Sequence, residues 1–89
     1  MRAIFKYPIH IADRQTVSMP AGAVPLTVQM QHGLPCLWAA VDTSQPEEQV
    51  PIRMCGTGHP MPEGKYIGTV QDEGFVWHYF DARDAEARG

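Results

Sequence analysis

Charge is scarce in this chain, and what there is does not lean basic. Asp, Glu, Lys and Arg make up 19% of the 89 residues and leave a formal net charge of −3. General nucleic-acid binding needs a basic surface, so that class of function is excluded. Long apolar runs are missing too: none approaches the roughly 18–20 residues that a membrane-spanning helix needs. The opening residues, Met1 through Tyr7, lack the apolar stretch and small-residue cleavage site of a signal peptide. A cytoplasmic protein with no membrane partner is therefore expected. Cysteine is limited to Cys36 and Cys55, whose separation is neither a CxxC pair nor half of a standard zinc site. Two reduced thiols acting as small hydrophobes are expected. At 89 residues the chain makes one domain, and a domain of this size buries only about 60–65% of its unfolded surface. Oligomerisation is a common way to bury more.

No segment carries a convincing helical period; strand follows strand instead. Residues 4–11 alternate, with Phe5, Tyr7, Ile9 and Ile11 on one face. Pro8 cannot donate to a ladder, so this strand is expected at an edge or bulged at that residue. A short strand at residues 16–19 places Val17 and Met19 on one side. In residues 24–31, Val24, Leu26, Val28 and Met30 alternate with Pro25, Thr27, Gln29 and Gln31. His32-Gly33 then forms a compact turn. Residues 34–41 are almost continuously apolar, which predicts a central strand covered on both faces. Residues 42–49 read as an exposed loop and 50–55 as the next strand. Residues 66–71 and 75–80 form a hairpin around Asp72-Glu73-Gly74. The whole reads as a small all-β domain of about six to seven short, mainly antiparallel strands, closed as a barrel or stacked as a sandwich. It spans residues 1–80, and residues 81–89 read as a charged tail that frays.

The most distinctive stretch is Gly56-Thr57-Gly58-His59-Pro60, inside the glycine- and proline-rich segment 56–64. Two glycines allow close approach of backbone to a ligand. Four histidines are present, His10, His32, His59 and His78, none at metal-ligand spacing, so no metal and no cofactor are expected. His10 and His32 read as surface or hydrogen-bonded side chains, and His59 stands out through its flanking glycines. Cys55 with His59 is the Cys–His pair close in sequence, but nothing marks an oxyanion hole or an orienting group. Ser18 and Ser44 lack a nucleophile-elbow context. No helix follows the glycine loop, which excludes the Walker-A and Rossmann phosphate cradles. A nest of backbone N–H groups helped by Arg53 and Lys65 stays open as a phosphate site. Phe75, Trp77 and Tyr79 form an aromatic stripe on one face of a strand whose other face carries Val76, His78 and Phe80. One of these faces is expected to meet another subunit or a ligand base.

The pieces Lys6-Tyr7, Met19-Pro20-Ala21-Gly22-Ala23, Val28-Gln29-Met30-Gln31, Pro35-Cys36-Leu37-Trp38-Ala39, Gly56-Thr57-Gly58-His59, Tyr66-Ile67-Gly68-Thr69 and Val76-Trp77-His78 resemble those of a small uncharacterised family found mainly in tailed phages and prophages. The resemblance runs over about residues 4–80 and leaves 81–89 outside it. It implies a small accessory protein in a bacterial host cytoplasm and carries no activity with it.

The expectation is a non-enzymatic phage accessory protein that binds a host component to antagonise antiviral defence. In its sharper form a homo-oligomer sequesters a small, possibly cyclic, nucleotide. Arg53 and Lys65 then meet phosphate, Gly56, Thr57, Gly58 and His59 supply close backbone approach and hydrogen bonds, and Tyr66 or Trp77 stacks on a base. The alternative is a protein-interaction module that blocks a host enzyme or pairs with a phage structural or assembly protein.

Overall fold

The structure, a computed structural model, describes residues 1–87. The alternating segments become β1 (Arg2–Pro8), β2 (Arg14–Pro20), β3 (Val24–Gln31), β4 (Leu34–Asp42), β5 (Glu47–Gly56), β6 (Lys65–Asp72) and β7 (Phe75–Asp81), followed by the short helix α1 (Arg83–Ala87). All five strand pairings are antiparallel. One sheet has the order β1-β4-β3 and the other β2-β5-β7-β6. Of the two expected architectures the sandwich is correct, because the two sheets stay separate rather than closing into a barrel. The molecule is a slab of 39 × 35 × 15 Å, the thickness of two stacked sheets about 10 Å apart.

Turn chemistry fixes the register. His32 and Gly33 have φ of 52° and 79°, and Glu73 and Gly74 have 49° and 87°. Positive φ at both central residues is what a two-residue hairpin loop of type I′ requires. The β3–β4 and β6–β7 hairpins are thereby set without slippage. β1 lies at a sheet edge with Pro8 at its end, as its proline predicted.

The inner faces meet in a core whose largest fully buried side chains are Tyr79, Met19, Leu37, Ile52, Val28, Val41 and Val50. Each comes from the apolar phase of an alternating strand, so removing that phase from water drives the stacking. The Tyr79 hydroxyl donates to the His10 carbonyl at 3.0 Å, which satisfies the one polar atom of this side chain. β6 packs closely on β3 of the other sheet, where Gly68 lies against the Val28 backbone.

Several local expectations are corrected. β3 does not keep one phase: its register shifts between Pro25 and Thr27, a bulge at Leu26. Val24 and Leu26 are therefore exposed, while Val28 is buried. β4 is fully buried on its inner face, at Leu37, Ala39 and Val41, and only in part on its outer face, where Cys36 is buried, Trp38 half-buried and Leu34 exposed. β5 begins at Glu47 rather than at residue 50, since Glu47, Glu48 and Gln49 pair with Pro20, Met19 and Ser18 of β2. β1 stops at Pro8, leaving Ile11 outside it and 42% exposed.

Where a fraying tail was expected from residue 81, the structure packs the chain against the domain as far as 87. Asp81 and Ala82 are buried. Arg83 reaches both Asp81 carboxylate oxygens, Glu48 Oε1 at 3.0 Å and the Ala23 carbonyl at 2.7 Å. Glu86 of α1 pairs with Arg53. The charges that read as solvated are partners for charges on β5 and β7. Residues 88–89 of that expectation lie outside the described residues.

Candidate functional site

The glycine loop leaves β5 on the outer face of the four-stranded sheet. His59 N–H donates to the Gly56 carbonyl at 3.1 Å, closing a four-residue turn. Gly58 sits at its third position with φ 87°, the conformation a type II turn requires there. Thr57 N–H donates to the Val76 carbonyl at 3.3 Å and ties the turn to β7. Thr57 is thereby held over the strand that carries His78.

The site grows from register. The β6–β7 hairpin sets Thr69 opposite His78, and the β5–β7 ladder sets Cys55 opposite His78 on its other side. A register shift between Tyr66 and Gly68 makes a bulge at Ile67. In an unbroken strand Tyr66 and Thr69 would point to opposite faces. The bulge puts them on the same one.

The result is a continuous hydrogen-bonded chain. Thr57 Oγ1 lies 2.7 Å from His78 Nε2. His78 Nδ1 lies 2.9 Å from Thr69 Oγ1. Thr69 Oγ1 lies 2.5 Å from Tyr66 Oη. Both ring nitrogens of His78 are therefore engaged by threonine hydroxyls, one from the loop and one from β6.

Beside this chain opens a cavity of about 400 Å³, lined by Cys55, Gly56, Thr57, Gly58, His59, Met61, Tyr66, His78 and Phe80. Its floor is Phe80, nearly buried, with the Tyr66 ring edge-on to it at 5.7 Å between centroids. Met61 stands at its rim and is 75% exposed. Neither lysine nor arginine lines it.

Five of the eight expected site residues meet here: Gly56, Thr57, Gly58, His59 and Tyr66. Three do not. Arg53 shares the outer face but pairs with Glu86 of α1 and lines a separate cleft with Arg14 and Pro62. Lys65 lines a third cavity with Val24, Gly64, Asp81 and Arg83. The two cations thus do not converge on the glycine loop, and the expected phosphate cradle is not assembled there. Trp77 lies in the opposite phase of β7 from His78, so its ring packs beneath Gly56 and stacks on Phe75 at 5.5 Å with a 12° interplanar angle. Its Nε1 is buried without a hydrogen-bond partner. It supports the loop from the core side and does not face the cavity.

Sequence reasoning passed over His78, Met61 and Phe80. A signal for His78 was present. A two-residue turn at Glu73-Gly74 counts Thr69 directly opposite His78, and a hydroxyl facing an imidazole across a ladder is a ready hydrogen-bond pair. His10 contributes backbone groups only to the contacts described above and by Gln15, and His32 occupies the β3–β4 turn. Among the described residues, no three His, Cys, Asp or Glu side chains cluster as metal ligands, and no helix is long and apolar enough to cross a membrane.

The chain belongs to the DUF7352 family, a domain of unknown function, whose match spans residues 1–89. The match takes in residues 81–89, which the resemblance read from the sequence had left out. No curated protein and no solved structure matches the chain significantly.

Proposed function

We propose that this DUF7352 member is a non-enzymatic binding module that captures a protein partner through the cavity beside the Gly56 turn. The observation that carries this reading is the lining itself. The cavity of about 400 Å³ has an apolar floor and rim, Phe80 and Met61, and no lysine or arginine on its wall. Such a pocket suits an anchoring side chain of a partner, because apolar burial supplies the affinity and a few hydroxyls supply the orientation. In the setting that the sequence resemblance implies, the partner is a host defence protein or a phage assembly protein, met in the bacterial cytoplasm.

Sequestration of a small nucleotide is the second reading. It is favoured by the exposed Tyr66 ring, 57% accessible and available for stacking. It is weakened by the cations, because Arg53 is paired with Glu86 and Lys65 lines a different cavity. A nucleotide held at this turn would meet its phosphates with no lysine or arginine.

The expected homo-oligomer has a surface to use. On the outer face of the three-stranded sheet Ile4 is 64% exposed and Val24 and Leu26 are each 47% exposed, around Trp38. Clustered apolar exposure of this kind marks association surfaces. Light scattering at tens of micromolar that returns a monomer mass defeats this part of the proposal.

The partner reading is tested with Met61→Asp. Met61 is exposed, so the melting temperature should stay nearly unchanged. Binding to the host or phage partner, and protection of infected cells, should be lost. A Met61→Asp protein that keeps both defeats the reading. A rise in melting temperature with micromolar nucleotide, and none with protein partners, moves the conclusion to the second reading.

A further inference from the structure

The chain Thr57–His78–Thr69–Tyr66 has a property that its distances alone fix. It contains three contacts, at 2.7, 2.9 and 2.5 Å, and each consumes one hydrogen. With a neutral imidazole, the four members bring one hydrogen each: three hydroxyls and one ring N–H. One hydrogen is left over. The ring hydrogen is never the spare, because either ring nitrogen that carries it points at a threonine oxygen. The spare hydrogen therefore sits on Thr57, on Thr69 or on Tyr66.

The ends of the chain face the cavity and its middle does not. Thr57 and Tyr66 line the cavity, as does the His78 ring, whereas Thr69 is absent from its wall. When the spare hydrogen is on Thr57, that hydroxyl donates inward and Tyr66 accepts. When it is on Tyr66, the roles reverse. When it is on Thr69, both ends accept. In no arrangement do both ends donate.

We infer that this cavity selects a neutral amide, through one donated and one accepted hydrogen bond to Thr57 and Tyr66, and rejects carboxylates. An amide N–H and C=O complete the two end groups in either proton order. A carboxylate brings acceptors only and finds at most one donor between the Thr57 and Tyr66 ends, leaving one end unmatched and an anion against Phe80 and Met61, with no lysine or arginine on the wall. The inference rests on reading this cavity as the partner-capture site, and it names the group captured. That group is the carboxamide of an Asn or Gln side chain, or the same amide edge in a ring lactam.

The probes are propionamide, butyrolactam, N-methylbutyrolactam and acetate. Each is titrated into the whole protein at mildly alkaline pH, with the backbone amide NMR signals of Thr57, Gly58, His59 and Tyr66 as the readout. Propionamide and butyrolactam should shift these signals saturably. N-methylbutyrolactam, which has no N–H, should bind about tenfold or more weakly, and acetate should not bind. Tighter binding of propionamide assigns the group to a side-chain carboxamide, and tighter binding of butyrolactam assigns it to a ring; both support the inference.

Thr69→Val supplies the decisive arm. It cuts the chain without touching the cavity wall. Tyr66 is then free to donate whatever the state of His78, and Thr57 can donate while Nε2–H points at it. Both ends can donate together, so the variant should acquire acetate binding that the wild type lacks. Damage to the fold would not create a new ligand. Should Thr69→Val fail to fold, Tyr66→Phe removes one end and should abolish the preference for butyrolactam over its N-methyl form. Equal binding of butyrolactam and its N-methyl form, acetate binding to the wild type at alkaline pH, or unchanged selectivity in Thr69→Val overturns the inference. Amide selectivity that holds while Met61→Asp leaves the protein partner bound overturns the partner reading alone.

Discussion

A methyl group on Gly68 would sit 2.8 Å from the backbone nitrogen of Val28 and 3.1 Å from its carbonyl oxygen. The obstacle is main chain, which cannot rotate away as a side chain could. This contact is where the β6 edge of one sheet rests on the β3 edge of the other, and it closes one side of the sandwich. Glycine is required here for space, since its φ is not in the left-handed region.

Gly68→Ala should therefore push the two sheets apart along that side and lower stability by about 1–3 kcal/mol, the usual cost of overpacking. Val28 is buried and lies under this contact, so the loss should show as a lower urea midpoint. Gly74→Ala is the comparison. Its methyl would meet nothing within 4 Å, and its cost would come from its φ of 87° alone. A Gly68→Ala protein as stable as wild type would mean that the sheets do not rest on each other here.

Arg83 fastens the end of the chain to three separate places: Asp81, Glu48 and the Ala23 carbonyl. Its hydrogen bonds to the buried Asp81 carboxylate, with burial opposing them, raise its guanidinium above its ordinary range. Arg83→Met keeps the apolar stem and removes all of these bonds. It should cost about 1–3 kcal/mol, because Asp81 is left buried with fewer donors. The variant should also raise amide exchange at Ala82 and in α1. No change in either quantity would show that residues 81–87 contribute nothing to the folded state.

How much of this was legible in the sequence depends on where the period breaks. The strands themselves were readable, because Val50, Ile52 and Met54 alternate without interruption and are buried as the pattern dictates, and Trp77 and Tyr79 follow the same rule on β7 while Phe75 at its start stays exposed. The two hairpins were readable from His32-Gly33 and Glu73-Gly74. The bulges were not. Leu26 and Ile67 are ordinary strand residues, and nothing in their chemistry announces an extra residue in the ladder. Yet the bulge at Ile67 is what turns Tyr66 toward Thr69, and with it assembles half of the site. The cations misled for a different reason. Arg53 lies near the loop in sequence, but its partner Glu86 is more than thirty residues away, and long-range pairing leaves no local trace.

Tyr79 makes the stability depend on pH at the alkaline end. Burial, and after it the Asp72 carboxylate, push its phenol up to about 12 from an ordinary 10. The folded state thus holds its proton where the unfolded chain has begun to release it. The stabilisation is present in full below about pH 10 and is lost as pH rises from there to about 12. Urea midpoints should fall across that window. In Tyr79→Phe the fall should be smaller. That variant should cost only about 1 kcal/mol at neutral pH, because the His10 carbonyl keeps its bond from Gln15 Nε2 at 2.8 Å. An identical alkaline fall in wild type and Tyr79→Phe would exclude this phenol as the cause.

The Gly56 turn separates stability from binding most cleanly. His59 is exposed, and the bond that shapes the turn comes from its backbone N–H, which alanine retains. His59→Ala should therefore stay within about 0.5 kcal/mol of wild type in stability. If its ring borders the captured group, partner binding should weaken by about 1 kcal/mol or more, the scale of one hydrogen bond. Gly58 behaves differently. A side chain there meets open space, but φ of 87° is strained for any residue with a Cβ and most for a β-branched one. Gly58→Val should lose about 1–2 kcal/mol of stability and, by reshaping the turn, move Thr57 away from His78 Nε2 and weaken binding further. Gly58→Asn, which tolerates positive φ, should recover most of both losses. Calorimetry and partner titration on the three variants decide the matter: full binding in His59→Ala together with full binding in Gly58→Val would reduce this turn to a connector and remove the site from it.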